Sequence, residues 1–193
     1  PLRRQSLEAM LDYPNRDYIE DVRYLVNTSQ PPEVLALALR YIWVTENSPD
    51  VEKLHAYLKP EVDPVVRGTA ASLMLKHGNP REKNEATNTL RQMLTHERER
   101  ERVMGCRALG EADYLQSLRL YIPNLLQDES LRVRRALLEA IAATHLQEYY
   151  PSLLKALQYK STREAASQAL IRLGNDALPM LAAVALDTYK PDS

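Results

Sequence analysis

Apolar residues recur along this chain in short bursts at three- and four-residue steps, the spacing that gathers them on one face of an α-helix. Four bursts share a further order. Arg67-Gly-Thr-Ala-Ala-Ser-Leu-Met74, Arg102-Val-Met-Gly-Cys-Arg-Ala-Leu109, Arg134-Arg-Ala-Leu-Leu-Glu-Ala-Ile141 and Arg163-Glu-Ala-Ala-Ser-Gln-Ala-Leu170 each open on arginine. Each continues with small or apolar residues at +3, +4, +6 and +7, and the arginines stand 35, 32 and 29 residues apart. The small residues at +3 and +4 (Ala70/Ala71, Gly105/Cys106, Ala166/Ser167) allow a second helix to approach closely.

The segments before the arginines are helical in pattern as well: residues 51–58, 86–94, 115–126 and 146–157 carry apolar positions at helical steps. Turn-like stretches lie between, at 59–64, 127–130 and 158–162. Gly78-Asn-Pro80, Gly110 and Gly174-Asn175 are expected to end the second helices. The predicted unit is therefore helix–turn–helix over about 30 residues. Pro123-Asn-Leu125, Pro151-Ser-Leu153 and Pro179-Met-Leu181 recur 28 residues apart. Proline removes a backbone donor, so its recurrence at one place in the unit predicts a systematic bend or a late helix start. No run of alternating β-branched residues predicts a strand.

Composition narrows the picture. The 193 residues are 45% apolar and 26% charged, ordinary for a folded soluble chain. Lys+Arg is 25 and Asp+Glu 26, so the net charge of −1 gives no global reason for a polyanionic partner, and nucleic acid is not expected. One cysteine excludes a disulfide framework, and His55, His77, His96 and His145 form no metal-ligand spacing. No cofactor or metal is expected. The longest apolar runs, 34–39 and 177–186, are too short to span a bilayer, and no leader is seen. The expected location is cytoplasmic, with no direct membrane insertion of this segment.

The repeated pattern resembles the HEAT-repeat family, in its short bacterial form: Pro-x-Leu-x-x-Leu, an acidic turn, then Val-Arg-x-x-Ala-x-x-Ala-Leu-Gly. Asp63-Pro-Val-Val-Arg67, Val133-Arg134 and Arg102 with Ala108-Leu-Gly110 carry the likeness, which runs from about residue 48 to 187. Residues 16–45 fit as a weaker copy. The resemblance implies an all-α, right-handed α-solenoid of about five HEAT-like antiparallel helix pairs, in a single domain over residues 1–193. It implies a non-catalytic scaffold or regulatory module whose partner is another protein or another domain of a longer parent chain. Two alternatives follow from relatives of that kind: a cytosolic domain attached to a membrane transporter of nucleotide-transporter type, and an enzyme of bilin-lyase or DNA-glycosylase type. The 177–186 helix is apolar nearly all round, and is expected to be covered by a further part of a longer protein.

Two groups of residues are candidates for chemistry. Arg67, Arg102, Arg134 and Arg163 are expected to form a structural ladder, each pairing with acidic turn residues such as Asp63, Glu99 or Asp128, because a guanidinium takes a carboxylate through two parallel bonds. If +3, +4 and +7 face the core, then +1, +5 and +9 face away. Arg107, Arg135, Glu139, Gln168 and Arg172 on that strip are the expected binding residues, a mixed-charge face suited to a protein. The run His96-Glu-Arg-Glu-Arg-Glu-Arg102 is neutral over 97–102 and is expected to be a solvated helix start held by local ion pairs. Cys106 is expected to be a buried, inert thiol, Trp43 to be core, and Tyr149-Tyr150 to begin a helix, either anchoring a partner or packing with the hydroxyls wet.

Overall fold

The computed structural model describes residues 2–47 and 49–187, with the side chain of Asp187 left out. The described residues are helical throughout their regular structure, and no strand occurs among them. The chain divides into two compact units, one ending at His96 and the other beginning at Glu97.

The first unit holds α1 (Leu2–Asp12), α2 (Ile19–Val26), α3 (Pro32–Thr45), a 3-10 run (Val51–Leu58), α4 (Pro64–His77) and α5 (Pro80–Leu94). Prolines at the first turn start α3, α4 and α5, where the missing N–H costs nothing. Asp63 caps α4 by accepting from the Val65 N–H at 2.9 Å. Asn79 and Glu82 close a reciprocal capping box on α5. Both α1 and α2 pack on α3, and α3 packs on α4. Leu7 of α1, Val22 of α2, and Leu39 and Tyr41 of α3 are buried. The Tyr41 hydroxyl accepts from the Asn15 N–H and donates to the Asn15 carbonyl, pinning the α1–α2 connection to the core. Trp43 is buried on the same helix.

The second unit holds α6 (Glu99–Glu111), α7 (Ile122–Leu126), α8 (Leu131–Ala143), α9 (Tyr150–Leu157), α10 (Arg163–Leu173) and α11 (Leu178–Asp187). Single-turn or slightly longer 3-10 segments precede α7, α9 and α11, at Leu115–Tyr121, Gln147–Tyr149 and Gly174–Ala177. Pro123, Pro151 and Pro179 each sit in the first turn of the α-helix that follows. The recurrent proline thus marks a late helix start: its ring would collide with the carbonyl four residues back if an α-helix ran through. α8 packs against both α6 and α10, while α7 packs on α8 and α9 on α10. Gly110 does not end its helix. It lies inside α6 against α8, where an added Cβ would fall 3.2 Å from Ala140 Cα.

The ends of α6 and α8 are the same motif. The Tyr114 N–H donates to Leu109 O and the Asp113 N–H to Gly110 O; Leu146 and His145 repeat these bonds to Ile141 and Ala142. Among the described residues, positive φ occurs at Asp113 (51°) and His145 (50°), and at Gly174 (54°) at the end of α10. The stretch Arg163–Leu186 is long and apolar enough, by length and composition, to cross a membrane, although Arg172 and Asp176 interrupt it and its backbone turns at Gly174. α11 exposes Leu178, Leu181, Val184 and Leu186.

Candidate functional site

All four arginine-led bursts bury their +3, +4 and +7 positions, with Ser167 alone half-exposed: Ala70, Ala71 and Met74; Gly105, Cys106 and Leu109; Leu137, Leu138 and Ile141; Ala166 and Leu170. The opposite strip differs between the units. In α6, α8 and α10 the residues Arg107, Glu111, Arg135, Glu139, Glu164, Gln168 and Arg172 are exposed, while Val103 on the same strip is buried and Ala143 half-buried. In α4 the corresponding Gly68 and Ser72 are buried. The reason is that α4 is enclosed by α3, α5 and the 51–58 run of its own unit. The expected strip therefore reduces to the second unit, plus Lys76 at the exposed end of α4.

Across α6, α8 and α10 the strip becomes a groove made of two adjoining depressions of about 460 and 270 Å³. The depressions share Arg107, Ala136 and Glu139. Gly110, Ala136, Ala140 and Ala143 form the floor, where small side chains let the helices lie close. Arg135 and Arg172 complete the expected rim. Gln168 is exposed but lines neither depression; it donates to Glu164 Oε1 at 3.1 Å. Arg100, Met104 and Arg132 also line the groove and were not among the expected residues. Their signal lay in the spacing: Arg100 precedes Arg107 by seven residues, and Arg132 precedes Arg135 by three and Glu139 by seven.

The rim is only partly committed. Arg132 pairs with Glu99 at 3.1 Å, and Arg135 donates through Nε and Nη2 to the Ser161 carbonyl, in the turn before α10. Arg107 and Arg172 make no hydrogen bond or ion pair among the described residues, and neither does Glu139.

The four leading arginines have different surroundings. Arg102 meets Asp128 through Nε–Oδ2 at 2.7 Å and Nη2–Oδ1 at 3.0 Å, and also donates to the Glu97 carbonyl. Its own pKa is raised by these bonds against the cost of burial. Arg67 is buried and donates to the carbonyls of Lys59 and Pro60, and Arg163 donates to that of Leu157. In both, the guanidinium caps carbonyls of the preceding turn, which close proximity along the chain makes available. Arg134 has neither arrangement. Its Nε is buried with no partner.

The charged run before α6 is not a purely local network. Glu101 is buried, and Glu99 accepts from the Ser130 hydroxyl at 2.6 Å, reaching the start of α8. That bond and the charge of Arg132 hold the Glu99 carboxyl below its ordinary range. The Asp128 carboxyl resists its burial through Arg102, the Ser130 N–H and the nearby charge of Arg134, and is likewise lowered.

Burial pushes the Cys106 thiol up to about 12, which removes the thiolate needed of a nucleophile. His55 contacts Glu85 at 2.7 Å and His145 contacts Asp176 at 2.6 Å. No group of three His, Cys, Asp or Glu side chains is placed to hold a metal among the described residues. Tyr150 departs from expectation at its hydroxyl: the ring is buried, four residues after buried Leu146 and three before buried Leu153, and the hydroxyl has no hydrogen-bond partner. Burial and the charge of Asp176 raise its pKa.

No family model matches this chain, and no curated protein matches it in sequence.

Proposed function

We propose that this chain is a non-catalytic protein-binding module of the short HEAT-like α-solenoid kind, working in the cytoplasm as a scaffold or regulatory element. The observation that carries the reading is the groove over α6, α8 and α10, with its small-residue floor and exposed charged rim. A floor of glycine and alanine admits an extended backbone or a helix face. Arg107 and Arg172, uncommitted and on either side of Glu139, favour a partner segment that is mainly acidic with an occasional basic residue. Such a rim sets orientation and association rate more than it sets affinity.

The test is a photo-crosslinking amino acid placed at Ala143, on the groove floor, with a second placed at Arg91, an exposed position of α5. A partner captured from Ala143 and not from Arg91 is then titrated against Arg107→Glu/Arg172→Glu. A loss of roughly tenfold or more in affinity, growing at low salt, is the expected result. Unchanged affinity overturns the groove as the binding face.

A second reading, a domain joined to a membrane transporter, is favoured by one observation: α11 exposes Leu178, Leu181, Val184 and Leu186 together. An apolar face of this kind calls for a cover. A neighbouring stretch of about 20 apolar residues in the complete protein would support that reading.

A further inference from the structure

The groove of the second unit has two unlike ends. Its helices α6 and α8 run in the same direction. Glu99 at the start of α6 reaches Arg132 and Ser130 at the start of α8, and Gly110 near the end of α6 lies against Ala140 and Ala143 near the end of α8. One depression therefore covers the starting halves of the two helices and the other their closing halves. Four arginines and two glutamates line the starting end, and two of each line the closing end. The excess of positive charge sits at the start, although the whole chain carries a net charge of −1.

Arg135 gives the starting end its character. Its Nε and Nη2 both donate to the Ser161 carbonyl, and no carboxylate pairs with it among the described residues. A neutral carbonyl fixes the guanidinium without cancelling its charge, so the side chain is ordered before any ligand arrives. Arg107 stands where the two depressions join, exposed and uncommitted. Glu139 lines both depressions as well, and Glu111 belongs to the closing end alone. Every cation lining the groove among the described residues is an arginine, the side chain whose planar fork takes a carboxylate through two parallel bonds.

We propose, on the reading of this groove as a protein-binding face, that it takes an extended acidic peptide segment in one fixed orientation. The segment's carboxylates lie over Arg135 and Arg107, and a basic residue at its other end lies toward Glu139 and Glu111. From Arg100 to Glu111 the helix rises about 17 Å, which about five residues of extended chain span. A segment turned end for end sets its base against Arg135 and its carboxylates against Glu111, and like charges brought together in that way reject the wrong register.

The test is an amide NMR titration of the full chain, at low salt, with a capped pentapeptide carrying two glutamates at one end and a lysine at the other. A nitroxide is attached to the acidic end in one arm and to the basic end in a second; a third arm replaces both glutamates by glutamine. Saturable shifts along α6 and α8 are expected. The acidic-end nitroxide should broaden residues 100–104 and 132–136 most, and the basic-end nitroxide residues 108–111 and 140–143. The glutamine peptide should bind at least about tenfold more weakly. Arg135→Glu should weaken the acidic peptide roughly fivefold, and so should Arg107→Glu, which removes no bond and keeps the question answerable if Arg135→Glu folds poorly. No saturation by about 10 mM peptide, or equal affinity for the glutamine peptide, overturns the acidic segment. Equal broadening of the same residues by the two nitroxides overturns the fixed orientation. Either failure leaves the groove standing as a binding face if a partner crosslinked at Ala143 still loses affinity with Arg107→Glu/Arg172→Glu.

Discussion

Arg102 grips Asp128 across 26 residues of chain with two parallel hydrogen bonds, and the two side chains are only 11% and 9% exposed. The pair joins the first turn of α6 to the turn that starts α8, and Ser130, which caps α8, donates its backbone N–H to the same carboxylate. Such a pair differs from a surface ion pair, whose median contribution is near zero. Breaking it by Asp128→Ala strands a guanidinium in a dry place and should cost about 3 kcal/mol. Arg102→Met/Asp128→Leu should recover most of that loss, since an apolar replacement of both partners leaves no stranded charge. Urea denaturation of the three proteins checks both statements.

Acid should act through the same corner. Asp128 and Glu99 both have folded-state pKa values below their ordinary ones. Their contribution is therefore fully present above the unfolded carboxylate range, at about pH 5 and higher, and is lost as pH falls through the lowered values. Asp128→Asn/Glu99→Gln is expected to flatten the fall in stability between about pH 5 and pH 2. Urea midpoints measured across that interval for the variant and the parent protein decide it. An equal acid loss in both would place the acid-sensitive groups elsewhere.

Gly110 faces Ala140 so closely that an added Cβ would sit 3.2–3.3 Å from Ala140 atoms. The helix-propensity gain from replacing glycine is about 1 kcal/mol, but only a neighbour that can give way would release it. Gly110→Leu should therefore destabilise by about 1–3 kcal/mol through forced separation of α6 from α8. A thermal melt reads the stability, and loss of partner binding at the groove should accompany it.

Asp113 holds a left-handed backbone conformation at φ 51°, the place where glycine most often ends a helix. Its carboxylate stands just beyond the negative end of the α6 dipole, a second mild penalty. Asp113→Gly is expected to stabilise by about 0.5–1 kcal/mol, measured as a higher urea midpoint with unchanged slope.

The helix pairs were legible because burial follows periodicity: residues at +3, +4 and +7 after each leading arginine carry it in their side-chain size. The exposed strip was legible only where a helix has free space on one side. Gly68 and Ser72 hold the same places in the pattern as Glu164 and Gln168, but α4 is enclosed on three sides, and enclosure is a property of the neighbours. The fate of each arginine was not legible for a similar reason. Arg102 finds its carboxylate 26 residues further along the chain, whereas the Nε of Arg134 finds no acceptor. Which acceptor a guanidinium meets is set by the folded arrangement of the turns around it. The helix ends at Asp113 and His145 gave no signal, since neither residue is the glycine that usually marks a left-handed terminus. The inward ring of Tyr150 follows the same spacing, four residues after Leu146 and three before Leu153, but the fate of its hydroxyl depends on which acceptors the fold brings near.

The groove separates what must be kept from what is free to vary. Its base is written in Gly110, Ala136 and Ala140, whose methyl-sized or smaller side chains set the distance between α6 and α8. Its border is written in Arg107, Glu139 and Arg172, which hold nothing else in place. A descendant of this sequence could exchange one binding preference for another by altering the border alone, and inherit the scaffold intact.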